Sequence, residues 1–171
     1  MRPVLLLVPL LLVSACSGGS SPEGSSSQGS SSGSPSSGRP DKSTYLAQAE
    51  ELCAQGVAQQ KKLVAPTAIG DFAPYVQQLV QVAATTTRGL TALTPPDADS
   101  AQLRAKVLDP LQAQLRLAQT FADEVQAATK NNDQAALGRL ALNPPTKAKA
   151  DLAFMRSYGF STCVDAADTS N

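Results

Sequence analysis

Hydrophobic residues fall along the 171-residue chain in three successive patterns. Val4 to Val13 is an apolar run interrupted by Pro9, and Ser17 to Arg39 holds no apolar residue apart from two prolines. From Pro40 onward, apolar positions recur at spacings of three and four, the period of a helix. The first predicted helix runs from about Ser43 to Val64, with Tyr45, Ala49, Leu52, Cys53 and Gly56 along one stripe, and Pro66 and Gly70 end it. The second starts near Asp71, a candidate cap. Its Phe72, Val76, Leu79, Ala83, Thr86, Leu90 and Leu93 share a face, and Pro95-Pro96 stops it. The third begins around Asp97 to Asp99, where acidic residues suit the dipole of a helix start. It carries Leu103, Val107, Leu111, Leu115, Ala118, Ala122 and Val125 on one stripe. Pro110 inside that stripe predicts a kink, or two helices meeting at Asp109-Pro110. Asn131-Asn132-Asp133 predicts a turn, with Asp133 capping a short helix from Gln134 to Leu142. Asn143-Pro144-Pro145 breaks that helix. Thr146 is expected to open a last helix bearing Leu152, Met155 and Tyr158. Gly159-Phe160 is expected to form a left-handed cap with the apolar residue folding back. No stretch alternates as a strand does, and no internal repeat is evident. The expected fold is all-α, an up-down bundle of four to five helices, because short Pro-rich connections favour antiparallel neighbours.

The two N-terminal patterns concern location. Arg2 followed by the apolar run reads as an export signal over Met1 to Ala15, too short to remain as a membrane span. The run ends in Val13-Ser14-Ala15-Cys16, which resembles the lipobox of bacterial lipoproteins. That resemblance implies a diacylglyceryl group on the Cys16 thiol, cleavage of the signal, and anchorage to the outer face of the cell membrane. Eighteen of the 23 residues from Ser17 to Arg39 are Ser or Gly. Such a segment has too little to bury to offset its ordering entropy, so residues 16–39 are expected to be a disordered tether. As a flexible coil it spans roughly 25–30 Å on average, and stretched on the order of 80 Å. Its Ser/Pro content also permits O-glycosylation. Residues 40–171 then form one helical domain, a length at which a single core suffices.

Composition narrows the function classes. Fourteen basic residues balance 14 acidic ones, which argues against nucleic acid as a partner and against a polybasic membrane patch. The chain has no His, so Ser-His-Asp and Cys-His catalysis and His-bearing zinc sites are excluded. It has no Trp and is 4% aromatic, which disfavours a stacking platform for bases or sugars.

Of the three cysteines, Cys16 belongs to the lipobox, leaving Cys53 on the inner stripe of the first helix and Cys163 beyond the last. Outside the cytoplasm such a pair forms a lasting bridge. Cys53 lies about halfway along its helix, so the chain after Gly159 must fold back to reach it. The alternative is a reactive or metal-binding pair, which no His, CxxC spacing or basic cluster supports.

Leu46 to Cys53 reads Leu-Ala-Gln-Ala-Glu-Glu-Leu-Cys, Leu93 to Asp97 reads Leu-Thr-Pro-Pro-Asp, and Ser157 to Cys163 reads Ser-Tyr-Gly-Phe-Ser-Thr-Cys. Over residues 41–165 this is similar to the small helical lipoproteins and secreted proteins of high-GC Gram-positive bacteria (actinobacteria). The resemblance implies a helical bundle framed by a Cys53–Cys163 disulfide, and no activity.

Candidate chemistry is sparse. Glu50-Glu51 and Asp123-Glu124 are adjacent acidic pairs, but neighbours on a helix point about 100° apart, so a solvated face is the expectation. Lys61-Lys62 complements the dipole at the end of the first helix. Thr85-Thr86-Thr87-Arg88 reads as a surface patch with Thr86 turned inward. Tyr45, Phe72, Tyr75, Phe121, Phe154, Tyr158 and Phe160 read as core and cap residues. Gly18-Gly19 belongs to the tether and lacks the flanking strand and helix of a phosphate loop. No catalytic residue, cofactor or metal site is assigned. The expected function is a non-enzymatic, membrane-tethered binding or accessory domain that meets an envelope protein. The alternative is a small-molecule or lipid carrier with an apolar cavity between its helices, which the many Ala, Thr and Gly residues on inner faces would permit.

Overall fold

The computed structural model describes residues 40–145 and 150–169. The export signal, the lipobox with Cys16, the Ser/Gly tether and Thr146 lie outside the described residues. Those described are all-α. Helix α1 is Lys42–Gln60, a 3-10 turn Ile69–Asp71 leads into α2, Phe72–Ala92, and α3 follows the Pro95-Pro96 turn. Helix α3 begins as Ser100–Leu103, passes through a π-helical turn at Arg104–Leu108 and continues as Asp109–Lys130. Three shorter helices complete the fold, α4 at Gln134–Leu142, α5 at Leu152–Tyr158 and α6 at Thr162–Thr169.

Helix starts are set by aspartates. Asp41 accepts the Thr44 N–H at 2.8 Å, Asp133 the Ala136 N–H at 2.8 Å, and Asp151 the Phe154 N–H at 2.9 Å. Each satisfies a donor that the first helical turn leaves without a partner. Asp71, expected to cap α2, instead turns back to accept the Ala68 N–H and the Thr67 hydroxyl, closing the 3-10 turn ahead of the helix. The last main helix starts at Leu152 behind Asp151, later than the expected Thr146. Gly159 ends it with φ 117°, and the Phe160 N–H returns to the Met155 carbonyl at 3.0 Å. This is the expected left-handed cap, with Phe160 buried. Beyond this cap, where no further helix is expected from the sequence, the chain makes one more, α6.

Pro110 does not divide α3. Backbone angles stay right-handed helical through Leu103, Arg104, Leu108 and Asp109. The Asp109 N–H reaches back five residues to Arg104. The Lys106 carbonyl, to which Pro110 has no N–H to offer, accepts the Asp151 N–H at 3.0 Å. A π turn thus absorbs the proline, and the freed acceptor is satisfied from another element. Lys106 Nζ adds an ion pair to Asp151 at 3.5 Å.

Close approaches fix the topology. A Cβ on Gly56 would meet Thr86, and one on Gly89 would meet Leu52; numbering rises on one helix as it falls on the other, so α1 and α2 are antiparallel. Phe72 meets Phe121 edge to face at 6.3 Å, while Leu90 joins Leu103 and Val107 in one cluster. Helices α2 and α3 are therefore antiparallel as well. Two cores result. The larger holds Tyr45, Ala49, Cys53, Leu90, Leu103, Val107, Met155 and Phe160. The smaller, at the far end of α2 and α3, holds Ala73, Val125, Ala128 and Leu137.

The Cys53–Cys163 disulfide is present, with Cα atoms 5.1 Å apart. It joins the middle of α1 to the first turn of α6. Glu50 reinforces the junction. Its carboxylate accepts the Ser161 N–H at 2.9 Å, the Ser161 hydroxyl at 2.8 Å and the Thr162 N–H at 2.6 Å. Residues 50 and 53 thus face residues 161–163, and α6 runs parallel to α1. A disulfide of this kind suggests an extracytoplasmic protein.

Candidate functional site: an apolar cleft

Helix α3, from Ser100 to Lys130, is about 45 Å long. Helix α1, with 19 residues, is only about 28 Å long and packs along α2. It ends at Gln60, and among the described residues no helix of comparable length takes the fourth position. Helix α4 packs at the smaller core, while α5 and α6 pack at the larger one. Between the two cores a length of the α2–α3 face is left partly uncovered, and a cleft of about 420 Å³ lies there. Volumes of about 300–1,000 Å³ are usual for small-molecule sites.

Its walls follow the helical stripes. Leu79, Ala83, Thr86 and Leu90 come from α2, and Val107, Leu111, Leu115 and Ala118 from α3. Gly56, Val57 and Gln60 come from α1, and Ala166 and Ala167 from α6. One end is closed by buried residues of the larger core, including Tyr45, Leu108, Met155 and Phe160. The other end opens where α1 stops, around Gln60, Leu79, Val80 and Ala118. Among the described residues the lining contains no Asp, Glu, Lys or Arg, and its polar side chains are Gln60, Gln114, Thr86, Thr87 and the Tyr45 hydroxyl. Burial raises the pKa of Tyr45, so that hydroxyl stays neutral at physiological pH. Both disulfide cysteines also border the cleft.

The expected inner stripes are therefore split between two tasks. Leu103, Val107, Ala122 and Val125 are buried core, whereas Leu111, Leu115 and Ala118 are half-buried cleft wall. On α2 the fully buried line is Ala73, Val76, Ala84, Thr87 and Leu90. The expected Thr86 lines the cleft half-buried, and the buried threonine is its neighbour Thr87.

The remaining sequence candidates do not converge. Glu50 caps α6, a role that the expectation of a solvated face missed. Burial, the largest influence on its carboxyl, pushes the pKa up, but hydrogen bonds from Thr162 and Ser161 outweigh it and hold the value below the ordinary one. Glu51 is exposed and accepts from Gln55 at 2.8 Å, and Asp123 and Glu124 are exposed on α3. Helix α1 ends at Gln60 and not at the expected Val64, so Lys61 and Lys62 lie just beyond its last turn and not within it. Thr85 hydrogen-bonds the Gln81 carbonyl and Arg88 the Ala84 carbonyl, both along their own helix. Phe154, Tyr158 and Phe160 stack at 5.6 Å per step, with Lys42 over the Tyr158 ring. The Tyr158 hydroxyl donates to Asp99 at 2.8 Å. Asp99, expected to favour the start of α3, makes no side-chain cap there and holds Tyr158 instead. Burial and this carboxylate both raise the Tyr158 pKa. Among the described residues no group of three or more Cys, Asp or Glu could hold a metal ion, and no helix is long and apolar enough to cross a membrane.

No protein-family model matches the chain, and no curated protein or solved structure matches it.

Proposed function

We propose that this protein is a non-enzymatic, lipid-anchored domain of the cell envelope that binds a small apolar molecule between its helices. The observation that carries the reading is the cleft of about 420 Å³, with no charged residue among the described residues that line it. An apolar solute entering it leaves water for surface that is apolar, and the gain scales with the area removed from water. The anchor belongs to the same reading and rests on the lipobox at Val13 to Cys16. So does the resemblance to small actinobacterial lipoproteins. Lipid on Cys16 would place the domain at the outer face of the membrane, at the end of the Ser/Gly segment, where membrane-derived apolar molecules are abundant. A role in docking an envelope protein has less support. Val64 and Leu142 are well exposed, but single exposed hydrophobics are ordinary on a protein surface.

Two experiments test this. Mass spectrometry of the mature N-terminus should find Cys16 diacylated, and Cys16→Ser should release the protein from membranes. An environment-sensitive apolar dye should bind the Cys16→Ser chain at a single site, and Ala118→Phe, which fills the cleft at its mouth, should weaken it at least tenfold. A chain that neither brightens such a dye nor carries an apolar molecule through native mass spectrometry does not have this function.

A further inference from the structure

The shape of the cleft selects among apolar ligands. We infer that its occupant is the unbranched alkyl chain of a single-chain amphiphile, inserted tail first, with its polar head in water at the mouth. This rests on the apolar-ligand reading above. The walls run along helix axes. On α2 the lining extends from Leu79 to Leu90, and on α3 from Val107 to Ala118, each about 16 Å at the rise of an α-helix. These two stretches lie opposite one another, given that Phe72 meets Phe121 and that Leu90 and Val107 share the larger core. The cavity is therefore a slot along the bundle, closed at one end by the larger core.

The chemistry of the slot is graded in the same direction. The closed end is formed by buried Tyr45, Leu90, Leu108, Met155 and Phe160, where an ionised or strongly hydrated group would lose its water without compensation. The open end carries exposed Gln60, and Lys61 and Lys62 come next in the chain. A head group stays hydrated on that side, where Ala83 of α2 is exposed as well as Gln60. An alkyl chain advances about 1.3 Å per carbon, given C–C bonds of about 1.5 Å. A slot of about 16 Å thus takes roughly a dozen carbons.

The test is displacement of the apolar dye from the Cys16→Ser chain by primary alcohols of six to sixteen carbons and by the matching fatty acids. Affinity should rise about fourfold per methylene, then level off near twelve carbons, because further methylenes remain in water. Acid and alcohol of equal length should compete within a few-fold of each other, since both heads lie outside. Ala83→Phe, narrowing the slot midway, should move the plateau to shorter chains. Circular dichroism checks its folding, and Thr86→Leu serves if it fails. A series that rises without a break, or shows no length dependence, overturns the inference. A rigid neutral polycycle that competes better than the twelve-carbon alcohol also overturns it while leaving the apolar-ligand reading intact. Failure of the dye itself to bind removes both.

Discussion

A carboxylate that accepts the Ser161 N–H, the Ser161 hydroxyl and the Thr162 N–H does so better ionised than protonated. Glu50 accordingly has a lower pKa folded than unfolded, so the folded chain binds fewer protons. Its contribution is present above the unfolded value, about 4.3, and is lost as the pH falls through the folded one. Glu50→Gln should cost about 1–2 kcal/mol at neutral pH, measured by urea denaturation. The gap between the two proteins should close on acidification from about pH 5 to pH 3. A gap that stays constant over that range would assign the loss to packing. Gly159 makes a separate demand. With φ at 117° and a Cβ position 3.0 Å from Leu46, Gly159→Ala should destabilise by about 1–2 kcal/mol, read from the same denaturation curves.

Between elements, the spacing of α1 and α2 depends on residues without bulk. A Cβ on Gly56 would come within contact too close for Thr86 to tolerate unmoved. Gly56→Ala should therefore destabilise by about 1–3 kcal/mol, despite alanine's better helix propensity. Thr86→Ala in the same chain should restore most of the loss, giving a coupling energy in a double-mutant cycle. Element existence and caps were legible in the sequence where the signal was local. Asp133 before Gln134, Gly159 before Phe160 and the Pro95-Pro96 stop each act on their immediate neighbours. What escaped was non-local. The outcome at Pro110 depends on an N–H from Asp151, 41 residues later, which lets a π turn stand where a kink or break was expected. Helix α6 escaped because its cap, Glu50, lies 111 residues before Ser161. The cleft was half legible. Small residues on inner stripes implied either a gap or close packing, and both occur. Gly56 and Gly89 give close packing, while Ala83 and Ala118 border the gap. Only the early end of α1 decides which stretch remains open.

For the whole molecule, the disulfide sets the scale of stability. Its partners are 110 residues apart, and a loop of that size stabilises by about 4–5 kcal/mol in the chain-entropy model. Small domains have about 5–15 kcal/mol in all. Replacing both Cys53 and Cys163 by Ala should therefore remove a large share of it, seen as a fall in the urea midpoint. The cleft should suffer with it, because α6 supplies Ala166 and Ala167 to one wall. The same bridge has another effect. Nearly all of the helical domain, including α2, α3, α4 and α5, lies between its two ends. A single proteolytic cut in any connection between residues 61 and 151 would open the chain without parting it. Such a nicked molecule should run at full size on a non-reducing gel and as two pieces after reduction, still carrying whatever the N-terminal half is attached to.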